Sequence, residues 1–508
     1  MSKNALDVRQ EDNFADWYQA AVRGGELAEE SGVRGCMIIK PWGFGIWERL
    51  KSAMDAEIVA HGVENCYFPL LIPLKHFEQE AQHVEGFAKE MAVVTHHRLS
   101  MIDGKLQPDP DAKLEEPLII RPTSETIIGS AMSRWIRSYR DLPLKLNQWA
   151  NVMRWEMRPR LFLRTSEFLW QEGHTAHATR EEAEAETAAM LAMYKKVVEE
   201  TLALPVIDGV KPEHERFPGA VDTLSIEAMM RDGKALQAGT SHYLGTNFAK
   251  AQNIQFQDSD GEWRYAHTTS WGSSTRLVGA LVMTHGDNDG LRLPPRAAPS
   301  QIVIIPMLKG GDQDEALLEY CRDLARRLSA GQAFGEPLRV RLDDRPERAQ
   351  IKRWDWVRKG APVICEIGAR DMEHGAVSFL RRDQLRLDGG KPNVRSEPID
   401  MFADNAGDIC ENIQQALYDQ AETFLRSNIV DDFASLEEVE ALFAEDGAKW
   451  ARIPWARPTG AELDAFVERL KASKLTVRNA PFEQGEVAGK CLVTGREAVE
   501  NILIARAY

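Results

Sequence analysis

Arg154-Trp155-Glu156, followed by Phe162-Leu163-Arg164-Thr165-Ser166-Glu167-Phe168-Leu169-Trp170-Gln171-Glu172-Gly173-His174, decides the reading of this chain. Residues two apart on a strand share a face. Arg154 and Glu156 thus fall on one side of a strand, as do Arg164, Ser166, Phe168, Trp170, Glu172 and His174 of the next. Two such strands joined by a loop at 157–161 predict an antiparallel hairpin. Its face would carry arginines, carboxylates, a histidine and two aromatic rings, more polar chemistry than a core face holds. That set suits an anionic ligand with a flat ring and a small partner beside it. The bland alternative is a solvated hairpin with incidental charges.

The chain of 508 residues has room for about three domains at roughly 150 residues each. Hydrophobic content of 44% and charged content of 28% fit a globular protein with a sizeable core. No apolar run approaches the length of a membrane span, so no membrane partner is expected. Met1 to Asp12 resembles neither a signal peptide nor a transit sequence, which makes the cytoplasm the expected compartment. Cys36, Cys66, Cys321, Cys365, Cys410 and Cys491 form no C-x-x-C pair; reduced, mostly buried thiols are expected. A net charge of −16 argues against a nonspecific nucleic-acid coat. Ala131 to Arg164 nevertheless holds eight Lys or Arg against Asp141 and Glu156, a basic island or, more blandly, a solvated helix face followed by loops.

Along the chain, 14–30 and Trp42 to His61 read as helical, and Val33 to Lys40 and Cys66 to Leu74 as strand-like. Asp103 to Pro117, with three prolines, reads as a loop. Glu181 to Leu202 is a long amphipathic helix whose Met190, Tyr194, Val197 and Val198 suit core packing. Gln237 to Phe248 and His267 to His285 read as strands and turns. Leu293 to Pro299 is a proline-rich linker, after which strands and helices alternate as in a compact α/β domain. From about 405 helices take over, then short strands.

No G-x-x-x-x-G-K-[ST] loop is present, and no G-x-G-x-x-G follows a strand. Polar chemistry gathers instead in Arg121-Pro122-Thr123-Ser124-Glu125, the 154–174 stretch, Gln237-Ala238-Gly239-Thr240-Ser241-His242, and Thr269-Ser270-Trp271-Gly272-Ser273-Ser274-Thr275-Arg276. Together these segments resemble the class II aminoacyl-tRNA synthetases, and among them the prolyl-tRNA synthetase family of archaeal/eukaryotic type. The resemblance runs from about Gly35 to Pro299 and continues more weakly to the last residue.

The resemblance implies a multi-domain α/β protein. A class II catalytic domain on an antiparallel sheet would span 1–296, an α/β anticodon-binding domain 300–395, and a small α+β C-terminal domain 405–508. It implies ATP-dependent attachment of L-proline to tRNA(Pro) through a prolyl-adenylate, with Mg²⁺ on the phosphates and a homodimer joined near Pro69. Arg154, Glu156 and Arg276 would be catalytic, Arg154 bridging the α-phosphate and the proline carboxylate. Arg164, Thr165, Gln237, Thr240 and Ser274, with Arg154 and Arg276, would contact ATP. Thr123 and Glu125 would take the proline amine, Trp170 and His174 would wall the ring, His242 would make another proline contact, and Arg154 would bind the carboxylate. Singly, His174 or His242 could be a bonded core histidine and Glu125 a helix cap.

The spacing from Arg154 to Arg276 leaves no room for the editing insertion of bacterial-type relatives. In the Glu-x-Gly-x-x-Asp turn that ends at Asp371, Glu366 and Arg370 would read the anticodon, or the segment is simply a surface turn after a strand. Activation would need only residues before about 296. In the C-terminal domain Cys491 alone matches a family zinc cysteine, and Asn479 and Thr494 stand near positions of others, so no structural zinc is expected. The terminal Tyr508 fits a family whose chains end in tyrosine near the active site.

Overall fold

The computed structural model describes residues 6–78, 90–388, 390–444, 447, 449–487 and 489–508. Helices α1 (Phe14–Gly24) and α2 (Pro41–Ala60) open the chain. The helical stretch expected over 14–30 stops early. Gly25 closes α1 by donating to Ala21, Glu26 takes a positive φ of 53°, and Ala28–Glu30 pairs with Met37–Ile39.

The central sheet has eight strands: β1 (Glu64–Asn65), β2 (Leu144–Met153), β3 (Glu167–His177), β4 (Ile207–Val210), β5 (Asp222–Met229), β6 (Ala235–Gly245), β7 (His267–Ser274), and Ala480–Pro481 at one edge. The spatial order is Ala480–Pro481, β4, β5, β6, β7, β3, β2, β1, antiparallel except where β1 runs beside β2. Helix α3 (Glu125–Trp135) precedes β2, α4 (Arg180–Leu202) follows β3, and α5 (Arg276–His285) follows β7. One face of the sheet packs on α4, where Met190, Tyr194 and Val198 are fully buried in the largest core. The other face is left for the cleft described below.

Asp103 to Pro117 is not the loop that its prolines suggest. Asp103 and Gly104 take φ of 52° and 73°, as a two-residue hairpin turn demands, and join Leu99–Ile102 to Lys105–Pro108; Lys113–Ile120 is a further strand. Arg276 to His285 is a helix rather than strand and turn. Leu277 to His285 are all buried, so the one-sided 3.6-residue pattern that marks a surface helix is missing. The hairpin loop is also longer than 157–161: β2 ends at Met153 and β3 starts at Glu167, leaving Arg154 and Glu156 just past the strand end. The loop keeps partial pairing, with Arg154 N donating to Ser166 O at 2.7 Å and Arg160 N to Arg164 O at 2.6 Å.

After the packed, mostly buried segment 293–300, a five-stranded sheet is ordered Val340–Leu342, Ile302–Pro306, Val363–Ile367, Ala376–Arg381, Arg395–Pro398. Its first three strands are parallel and the rest antiparallel. The helix Ile399–Ser427 leads to a four-stranded sheet of Ile429–Val430, Trp450–Trp455, Glu500–Ala505 and Thr476–Val477 with its own core around Trp455, Phe466 and Ile502.

Candidate active site

Sheet register builds the site. Glu172 on β3 lies opposite Gly272 on β7, which lies opposite Thr240 on β6. Two residues along, His174, Ser270, His242 and Thr223 form a second row across β3, β7, β6 and β5. Two residues the other way, Trp170 pairs with Ser274. From Trp170 to His174 the rows span roughly 13 Å at a strand rise of about 3.3 Å per residue. They floor a cavity of about 290 Å³, walled by Arg154 and Arg276 and, from the 211–221 loop, by Glu215, Arg216 and Phe217.

One of the two cations, Arg154, sits beside aromatic rings. The Arg154 guanidinium lies 5.4 Å from the Trp170 ring centre and 5.8 Å from that of Phe168, and its Nε donates to Pro122 O at 2.9 Å. Burial works against the Arg154 charge, while Glu125 and Glu172 favour it. Arg276 is pushed down to about 10 by burial and then by the like charges of Arg164 and Arg154. Among the described residues no carboxylate bonds its guanidinium. Two crowded cations in a desolvated wall form a site that an anion would relieve.

The other rows are balanced differently. Glu172, fully buried, accepts from Ser124 N at 3.1 Å, Ser124 Oγ at 2.6 Å, Gln148 Nε2 at 2.9 Å and the His174 ring at 3.2 Å. Burial alone would push its carboxyl up, but His174, Ser124 and Gln148 hold it below the usual range. Burial also opposes the His174 charge, and Glu172 overcomes it, holding the imidazole above its usual value. His242 goes the opposite way, pushed down to about 3 by burial and the His174 charge; its Nδ1 meets Thr223 Oγ1 at 3.0 Å and its ring lies 4.8 Å from Phe217. Glu125, on the rim, is hydrogen-bonded by the Thr123 hydroxyl. Trp170 Nε1 and Ser270 Oγ are buried with no hydrogen-bond partner among the described residues, so the cavity offers polar groups still to be matched.

Of the residues picked from sequence, Glu125, Arg154, Trp170, His174, Gln237, Thr240, His242, Ser274 and Arg276 all line this cavity. Thr123 reaches it through Glu125. Glu156, Arg164 and Thr165 do not line it. The Glu156 carboxylate turns back on its own loop to accept from Arg158 N at 2.7 Å, and Arg164 is exposed. Thr165 is buried behind the hairpin, where it lines a second cavity together with Tyr508, whose hydroxyl donates to Asp232 at 2.7 Å. Sequence reading missed Arg216 and Phe217, which sit in a loop without periodicity. It also named no role for Glu172, although the β3 alternation put it on the right face.

In the 300–395 region the Glu366-to-Asp371 stretch is not a free turn. Glu366 lies within the strand Val363–Ile367 and pairs with Arg353 at 2.9 Å; Asp371 caps the helix Ala369–His374 by accepting from Gly368 N at 2.8 Å. Arg370 is exposed. Cys491 is buried in the third core, and among the described residues no group of three or more His, Cys, Asp or Glu is gathered to hold a metal. Asn479 is fully buried and donates to Ile207 O at 3.1 Å.

Residues 108–285 match the tRNA synthetase class II core domain (G, H, P, S and T), and residues 301–389 match an anticodon binding domain. Fold and site thus define a class II aminoacyl-tRNA synthetase. A proline–tRNA ligase of Novosphingobium aromaticivorans is 61% identical over all of this chain and 99% of its own length. Those of Sphingomonas elodea and Akkermansia muciniphila are 59% and 48% identical, again over the whole chain and 100% and 99% of the relative. The chain belongs to the proline–tRNA ligase family. These relatives are bacterial, so the archaeal/eukaryotic type drawn from the sequence finds no support in them.

Proposed function

We propose that this chain joins L-proline to tRNA(Pro) in two steps. The proline carboxylate attacks the α-phosphate of ATP and releases pyrophosphate; the terminal ribose hydroxyl of the tRNA then attacks the mixed anhydride and AMP leaves. The observation that carries the reading is the polarity of the cleft. Arg154, over the Trp170 ring, and Arg276 stand towards the Trp170–Ser274 row, while Glu125, His174 and His242 stand at the other. The first end suits phosphates and adenine, the second a secondary ammonium with an apolar ring. Arg154, between them, is the group that touches both carboxylate and α-phosphate, and Arg276 neutralises the phosphate tail. Catalysis is then alignment and charge neutralisation.

Gln237, Thr240 and Ser274 line the nucleotide end, and the Arg164 charge acts there through Arg276; Thr165 faces the second cavity instead. Glu156 acts as an organiser of the hairpin loop. Mg²⁺ would enter with ATP rather than as a resident metal: Glu172 is saturated by its four donors and Glu125 is tied to Thr123.

The domain division 1–296, 300–395 and 405–508 accompanies this reading, as does the lack of an editing insertion, since 154–276 is spent on the hairpin, α4 and β4 to β7. Exposed Tyr67, Leu71, Val93, Leu99, Met101 and Leu106 support a homodimer contact around Pro69. Six free cysteines support a reducing, cytoplasmic setting, and among the described residues no helix is long and apolar enough to cross a membrane. The test is proline-dependent ATP–pyrophosphate exchange by Arg154→Ala. It should fall more than about 100-fold, the scale of a lost transition-state contact. Near-normal exchange by the folded variant would sink the assignment.

A further inference from the structure

Beside the wall that carries Gln237 and Arg276, three charged side chains are buried together. Glu227 of β5 is fully buried. Its Oε1 accepts from Lys211 Nζ at 2.9 Å and Ser225 Oγ at 3.0 Å, and its Oε2 from Arg478 Nη2 at 2.8 Å and Nε at 3.1 Å. Lys211 and Arg478 are only 3% and 6% exposed. Stability is a poor reason to keep such a set, because well-packed apolar side chains commonly do as well as a buried ion pair.

Its placement suggests a better reason. Glu227 lies opposite Gln237, where the β5–β6 register shifts between Ile226 and Glu227. A bulge re-aims the side chains beside it, and Gln237 lines the cleft. Arg276 feels the same set: burial, Arg164 and Arg154 depress it, Glu227 is the carboxylate that offsets them, and Arg478 opposes that offset.

Arg478 comes from 251 residues further along the chain. Its backbone N donates to Leu503 O at 2.7 Å, and Ala480–Pro481, two residues on, pairs with Gly209–Val210 as the edge strand of the catalytic sheet. The C-terminal residues thus reach into the sheet and place a forked cation on its Glu227.

Resting on the ATP reading of the cleft, we propose that Arg478 is a positioning residue for adenylate formation. Through Glu227 it fixes the β6 bulge at Ala238 that aims Gln237 at the nucleotide, so that proline activation depends on C-terminal residues. This departs from the expectation that activation needs only residues before about 296. Lys211, the residue that follows β4, supplies the second anchor. The fork of Arg478 holds one carboxylate oxygen in a fixed direction, which a lysine ammonium, lacking a rigid planar pair of donors, could not do.

The experiment is pyrophosphate exchange by the full chain, with KM measured separately for ATP and proline. Arg478→Met should raise KM for ATP about tenfold, the scale of one lost hydrogen bond to a charged ligand, and leave KM for proline within about twofold. Arg478→Lys, which keeps the charge and loses the fork, should fall between. A merely structural Arg478 would lower the melting temperature and the fraction of active sites while leaving both KM values at wild type, and that result overturns the proposal. If Arg478→Met does not fold, Arg478→Lys decides: an unchanged KM for ATP overturns the proposal equally. Arg276→Ala is the control, expected to lose about 100-fold or more in kcat/KM for ATP. If Arg276→Ala keeps wild-type ATP kinetics, the ATP reading of the cleft falls and the role of Arg478 with it.

Discussion

At the floor of the cleft Glu172 and His174 are two residues apart on β3 and bonded to each other, each charged because the other is. Their directions make a pH prediction. A depressed carboxyl contributes stability that is complete above its unfolded pKa and lost as pH falls through its folded value. A raised histidine contributes stability that is complete below its unfolded pKa and lost as pH rises through its folded value. The pair is therefore most stabilising between the ordinary values of 4.5 and 6.5 and weakens outside that window. The melting temperature of the wild type, less that of His174→Asn, should shrink as pH is raised from 6.5 towards 9. A difference that stays flat would mean His174 is neutral throughout. His242 beside it works in the other direction: burial and the His174 charge push it down to about 3, so its contribution is lost as pH falls below the ordinary 6.5 and adds little to the change above that.

The β3–β7 pair is held at close quarters by one glycine. An added Cβ at Gly173 would lie 2.2 Å from the Trp271 ring, which packs across β3 towards Tyr194 of α4. Gly173→Ala should force that ring aside at a cost of about 1–3 kcal/mol, seen as a lower melting temperature and altered tryptophan fluorescence. An unchanged melting temperature would show that the sheet absorbs the methyl group. How much of the site could be read from sequence follows from the same element. Alternation alone assigns Phe168, Trp170, Glu172 and His174 to one face of β3, because a strand's period is fixed at two. The end of β2 is not legible in the same way: Arg154 continues the alternation, yet the chain leaves the ladder after Met153 and turns at Phe162 with φ of 62°. The 211–221 loop carries no period at all, so Arg216 and Phe217 have no sequence signal beyond their residue types. Helix α5 escapes sequence reading for a related reason, being buried on all sides.

Across the whole molecule the parts are joined by buried arginines whose partners lie far off in sequence, which no local pattern announces. Arg478 meets Glu227, and Arg382 forks onto Asp287 at 2.5 and 2.8 Å, tying the 300–395 region to the end of α5. Arg381 is buried as well, on Asp383 and Asn412. These arginines are spent on structure and cannot meet RNA without unfolding their surroundings. Arg370 differs. It is exposed at the start of a short helix, and its side chain makes no hydrogen bond or ion pair among the described residues. Glu366, on the strand just before that helix, is less available than its residue type suggests, being paired with Arg353. Charge reversal, Arg370→Glu, should therefore leave pyrophosphate exchange at wild type and lower proline charging about tenfold at limiting tRNA, the scale of one base contact. Raising the salt concentration should narrow the gap between variant and wild type, because a reversed charge repels the phosphate backbone through a screened field. Unchanged charging would assign Arg370 to the solvated surface and move the RNA-reading face to another part of the 300–395 region, away from Arg381 and Arg382.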